Sequence, residues 1–258
     1  MLVALLCGYS AAVAPMSNQA AGLSEANSYA VNVSDRMPSS AFAPAMVPPV
    51  QSFSHGPDSS HAHARGDYYS DIAADGHYTW KPEKFPIKVY MQPATGVPGY
   101  RAVMPDTLRA SFNEWQAGTN GRVSWVEVDQ AAAADITVSW TDRAVDNGRG
   151  TEGGRTKTFA RVNQRTNKGI IDRAEMSLLT RLPDGDLSDT EMKSAYLHEV
   201  GHAFGLSGHS QTRGDIMFYA VGPKQRPALC DRDIATINRL YDGYPELARA
   251  AKSGSPKV

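Results

Sequence analysis

The chain has 258 residues, 41% of them hydrophobic, with 26 Lys and Arg against 27 Asp and Glu and a formal net charge of −1. That length accommodates one domain with an appended segment or two small domains. The balanced charge, with no basic stripe or acidic block, excludes the electrostatic footprint of a nucleic-acid or anionic-membrane partner.

Residues 1–14 form a short apolar run rich in small residues. The run is too short to span a bilayer as a helix. Together with residues 15–20 it reads as a signal peptide over residues 1–20, cleaved near Ala14 or Ala20. That places the protein outside the cell, in a periplasm or at a cell surface. With the run removed, Cys7 is lost and Cys230 has no intrachain partner, so no disulfide framework is expected. No later stretch is long and apolar enough for a membrane span.

Residues 21–76 read as a disordered linker or a pro-segment. They are rich in Ala, Ser and Pro and sustain no period of 2 or 3.6. His55, His61 and His63 in this tract read as solvated side chains, and Gly66-Asp67 as loop residues. Order is expected to begin near Tyr78, opening a domain over 77–245 with a flexible tail over 246–258.

Within that domain, Phe85–Met91 alternates as a strand with Ile87, Val89 and Met91 on one face. Pro105 opens a helix carrying Leu108, Phe112 and Trp115 at helical spacing. Val123–Val128 and Ile136–Trp140 have strong strand composition. The Gly-rich loop 142–154 holds Asp142, Asp146 and Glu152, acidic residues that could bind Ca2+, although their spacing matches no Ca2+ loop. Thr156–Val162 and Ile170–Leu179 read as two further strands. Ser188-Asp-Thr-Glu191 has the spacing of a capping box, which starts a helix through Met192, Ala195, Tyr196, Val200 and Ala203 and ends it at Gly205. A last helix begins at Asp231 and aligns Ile234, Ile237, Leu240 and Tyr241.

The chemistry concentrates in His198-Glu-Val-Gly-His202. Two histidines at i and i+4 project from one helix face, so both imidazoles can reach one tetrahedral zinc ion. Glu199 is not a ligand and is placed to take a proton from an activated water. Two ligands hold zinc poorly. Gly205 turns the chain back so that the next loop can supply a third, with His209 the first candidate and Asp215 the alternative. Beyond His77 the chain has three histidines, and all fall within these twelve residues.

His198-Glu-Val-Gly-His-Ala-Phe-Gly-Leu-Ser-Gly-His209, followed by Gly214-Asp-Ile-Met217, resembles the metzincin zinc peptidases and most closely their matrixin branch. The family pattern is HExxHxxGxxH and then a tight turn with a methionine beneath the metal. Here the third histidine comes one residue late, with Gly208 in its usual place. The resemblance spans about residues 78–243 and implies an α+β fold: a twisted, mostly parallel five-stranded sheet with an antiparallel edge strand, an active-site helix and a C-terminal helix. It further implies a secreted, monomeric zinc endopeptidase acting on protein or peptide substrates. Met217 would sit in the turn and Glu199 would be the general base. Tyr219 is the second catalytic candidate, since a tyrosine at that offset touches the metal or the oxyanion in some members and shapes the pocket in others. Thr156–Val162 would be the edge that pairs with an extended peptide. No histidine lies on the strands within 156–179, so a second zinc is not expected, and no cysteine within 21–76 can hold the enzyme latent. The competing reading is a zinc-bearing binding or adhesion module without activity.

Overall fold

The computed structural model describes residues 28–32, 66–73, 76–143, 153–163, 165–183, 185–219 and 227–247. In chain order the elements begin with strand β1 (Ser28–Asn32), helix α1 (Tyr69–Ala73), β2 (His77–Thr79), β3 (Ile87–Met91) and helix α2 (Met104–Gly118). Then come β4 (Trp125–Glu127), β5 (Ile136–Thr141), β6 (Gly154–Asn163) and β7 (Lys168–Leu179). A short ribbon, β8 (Arg181–Leu182) with β9 (Gly185–Asp186), precedes helices α3 (Asp189–Ala203) and α4 (Asp231–Leu240).

Alternation builds the sheet. In β5, Ile136, Val138 and Trp140 are buried while Thr137, Ser139 and Thr141 face the other way, the period-2 pattern of a strand with one covered face. The strand order is β1-β6-β7-β5-β3-β4, with β2 beside β7. β3, β4, β5, β7 and β2 run parallel, and β6 lies antiparallel on β7. This is the expected α+β architecture of a mostly parallel sheet with an antiparallel edge. β2 pairs with Lys168–Ile170 and β5 with Ala174–Leu179, so the two share one side of β7.

Helices α2 and α3 pack on each other, and α3 lies against β6 and β7. Leu108, Phe112 and Trp115 of α2 are buried at the expected helical spacing, and Pro105 stands in the first turn. Trp115 reaches into α3 and donates its indole N–H to the Leu197 carbonyl at 2.9 Å.

The sheet is larger than the five strands expected, and order begins before Tyr78. α1 lies inside the stretch read as irregular, and Tyr68 and Ile72 are core residues. Their order comes from α4 rather than from any local period: Tyr68 donates its N–H to Thr236 Oγ1 at 3.0 Å and its hydroxyl to Asp233 at 2.6 Å. β1 pairs antiparallel with the distal half of β6, Ser28 opposite Asn163 and Asn32 opposite Phe159. Asp67, read as a loop residue, is engaged by Arg239 and by the Tyr69 N–H. The strand expected over 123–128 contracts to Trp125–Glu127 at the sheet margin. At the other end Leu247, placed in the flexible tail, is buried. Residues 1–20, His55, His61, His63, Asp146 and Glu152 lie outside the described residues. Among the described residues no helix is long and apolar enough to cross a membrane.

Candidate metal centre and active site

The capping box forms as expected. Ser188 Oγ accepts the Glu191 N–H at 3.2 Å and the Glu191 carboxylate accepts the Ser188 N–H at 3.0 Å, satisfying donors that a helix start leaves open. From there α3 runs into the interior, where ten of its fifteen residues are buried, His198 and Glu199 among them. The helix end is closed by two aromatic donors. The Trp80 indole bonds the Ala203 carbonyl at 2.8 Å and the Tyr241 hydroxyl bonds that of Phe204 at 2.9 Å. Both satisfy carbonyls that lack a partner within the helix.

His198 and His202 stand one turn apart with ring centroids separated by 4.7 Å. His198 Nδ1 lies 2.8 Å from the Ile216 carbonyl and His202 Nδ1 lies 2.6 Å from that of Leu206. A carbonyl only accepts, so each Nδ1 carries the proton, and a neutral ring then presents its Nε2 lone pair. Burial, reinforced by the neighbouring imidazoles of His198 and His209, pushes the His202 pKa well below its ordinary value, which keeps the ring neutral. The two Nε2 atoms face each other at 3.0 Å. Two lone pairs at that distance repel unless a cation or a proton lies between them. Ligand nitrogens about 2.0–2.1 Å from a tetrahedral zinc stand roughly 3.3–3.4 Å apart, so the pair is spaced to share one ion.

Gly205 directs the chain back. Its φ of +106° lies in the left-handed region, and a Cβ there would collide with the Tyr78 carbonyl oxygen. The loop then brings the His209 ring to 5.2 Å from His198, nearly parallel to it, and to 5.0 Å from His202. One ring nitrogen from each of the three histidines lies within 4.8 Å of the others, a set that can hold a metal ion. The extra Gly208 therefore does not keep the third imidazole away. Asp215 is not in this group. It belongs to a separate cluster with Cys230 and Asp233, where it pairs with Arg232. Burial and the Asp233 carboxylate push the Cys230 thiol up to about 12, in keeping with a packing residue rather than a reactive thiolate.

Glu199 is buried and turned toward β6. Thr156 Oγ1 lies 2.7 Å from Glu199 Oε2 and 3.1 Å from its carbonyl oxygen. A Cβ on Gly154 would come within 2.8 Å of Glu199 Cγ, so the absence of a side chain there makes room for the carboxylate. Met217 is fully buried beneath the last turn of α3, where Gly201 leaves space for its sulfur. Tyr219 is 57% exposed with its ring against Phe218, and among the described contacts none joins it to the three imidazoles. The sequence reading missed Thr156 and Gly154. Their place beside Glu199 follows from the register of β6 under α3, which leaves no mark in the local sequence.

The fold, the gathered imidazoles and the methionine turn agree with the metzincin resemblance. The family model described as matrixin, a peptidase family, matches residues 79–242, and the chain belongs to that family. It is 30% identical to Metalloendoproteinase 1-MMP of Arabidopsis thaliana over 151 residues, covering 54% of this chain and 38% of that protein. It is 25% identical to Metalloendoproteinase 4-MMP of the same plant over 142 residues, covering 54% of this chain and 40% of that protein. The chain thus spans about two fifths of the length of these relatives.

Proposed function

We propose that the chain is a secreted zinc-dependent endopeptidase, acting as a monomer on protein or peptide substrates, with His198, His202 and His209 as ligands and Glu199 as general base. Residues 77–245 are read as its catalytic domain, 1–20 as a signal peptide and 21–76 as a linker or pro-segment whose Tyr68 and Ile72 pack into the core of that domain. The observation that carries this reading is the pair of Nε2 atoms aimed at each other beside a third imidazole and a buried carboxylate.

A bound zinc ion would supply Lewis acidity, acidifying water and polarising a carbonyl. The chain's own part comes from its geometry. The carbonyls of Ile216 and Leu206 fix the tautomer and the orientation of His198 and His202. Thr156 holds one oxygen of Glu199, leaving the carboxylate to accept a proton from the attacking water and pass it to the leaving amine. Tyr219, at the exposed rim after the turn, is assigned as a donor toward the oxyanion.

Zinc-loaded protein is expected to cleave an unstructured protein such as casein, and a chelator to abolish cleavage until zinc is restored. Casein left intact by fully zinc-loaded protein would reject the peptidase reading in favour of a binding module.

A further inference from the structure

Two neighbouring side chains of α4 grip the turn that carries Met217. Asp233 is fully buried and accepts the Ile216 N–H at 3.0 Å, and the Ile216 carbonyl is the group that orients His198. Arg232 donates from Nε to both oxygens of Asp215, at 3.1 and 3.2 Å. Asp215 is itself 2% exposed and also receives the hydroxyl of Ser210. Ser210 is fully buried, donates its N–H to the Met217 carbonyl at 2.8 Å and comes directly after His209. Its hydroxyl oxygen accepts the Thr212 N–H at 3.0 Å as well.

The loop that brings His209 to the other imidazoles has a glycine immediately before that histidine. Glycine gives the backbone its widest freedom, so Gly208 alone cannot fix where the ring goes. From this geometry we infer that Asp215, held by Arg232, is a positioning residue that anchors Ser210 and thereby fixes the approach of His209 to His198 and His202. The inference rests on reading the three histidines as metal ligands. A hydroxyl donating to an ionised carboxylate makes a stronger and more directional bond than one between neutral groups. The Arg232 guanidinium, with Nε 3.1 Å from Asp215, supplies a charge partner for this buried carboxylate. Arg232, Asp215 and Ser210 thus form one rigid bridge from α4 to the residue beside the third imidazole.

The test is a zinc titration of the full chain in competition with a chromophoric chelator. Wild type, Ser210→Ala, Asp215→Asn and the double variant are compared, with His209→Ala marking complete loss of the third ligand. Ser210→Ala and Asp215→Asn are each expected to weaken zinc binding by about 10- to 100-fold, the usual effect of removing a group that orients a ligand. The double variant should bind no more weakly than Asp215→Asn alone, because both changes cut the same bridge. Thermal unfolding of the chelator-stripped proteins separates positioning from general damage. Ser210→Ala removes the bonds to Asp215 and Thr212 and leaves the Asp215–Arg232 pair intact, so its apo form should still unfold cooperatively, with a Tm lowered by no more than about 10 °C. Folded Ser210→Ala that binds zinc as tightly as wild type overturns the proposal. Weakened zinc binding supports it even if no variant, wild type included, cleaves casein. Wild type that binds no zinc removes the ligand reading and this proposal with it.

Discussion

Glu199→Gln is expected to leave zinc content unchanged and to lower kcat/KM for peptide cleavage by about 10^2- to 10^4-fold, the usual contribution of a positioned general base. Glutamine is the informative replacement because its amide oxygen can still accept the Thr156 hydroxyl, which lies 2.7 Å from the native carboxylate. The wedge between α3 and β6 is then retained while the basic oxygen is lost. The loss should fall on kcat and not on KM, since the carboxylate acts on the proton rather than on substrate binding. Tyr219→Phe is the companion variant. If its hydroxyl steadies the oxyanion, kcat falls by about 10-fold or more with little change in KM. Near-wild-type turnover by Glu199→Gln at full zinc occupancy would remove the base assignment, and an unchanged kcat for Tyr219→Phe would confine that residue to shaping the rim.

The second large effect is structural. Gly205→Val should destabilise the domain by about 3 kcal/mol and lower its Tm by ~6–12 °C. Two costs combine. A β-branched residue is strained at a φ of +106°, and its Cβ would run into the Tyr78 carbonyl, a backbone atom that cannot swing aside as a flexible side chain could. Relief requires β2 or the end of α3 to move, and the end of α3 sets the direction of the loop bearing His209. Zinc affinity should therefore fall together with Tm. Calorimetry with and without zinc checks both, and a Tm within about 2 °C of wild type would show that the turn relaxes without cost.

Much of the site could be read from the sequence because its signals are local. The i, i+4 histidines, the glutamate between them, the capping box at Ser188 and the stop at Gly205 all lie within eighteen consecutive residues. β5, β6 and β7 were visible because each has a covered and an open face, which writes a period of 2 into the sequence. What escaped depends on contacts between distant segments. α1 has five residues and no helical stripe, and Tyr68 beside it is ordered by Thr236 and Asp233, more than 160 positions away. Asp215 could be read as a possible ligand because its chemistry suits a metal. Only the fold shows that Arg232 and Ser210 engage it instead. β2, at three residues, is too short for any period to declare it.

If an extended substrate pairs with β6, the pairing of β1 with that strand limits the length it can use. Of the ten residues of β6, Phe159–Asn163 already have a backbone neighbour on that side, supplied by the protein itself. β1 does not reach residues 154–158, the stretch that touches Glu199 through Thr156. At about 3.4 Å per residue, a visiting peptide can be zipped to the sheet over ~17 Å before it meets residues 28–32 and has to peel them off. Deleting residues 1–65 should therefore lower KM for long peptides and leave KM for short ones unchanged, whereas an equal shift for both would mean that the two chains never compete for the same rail.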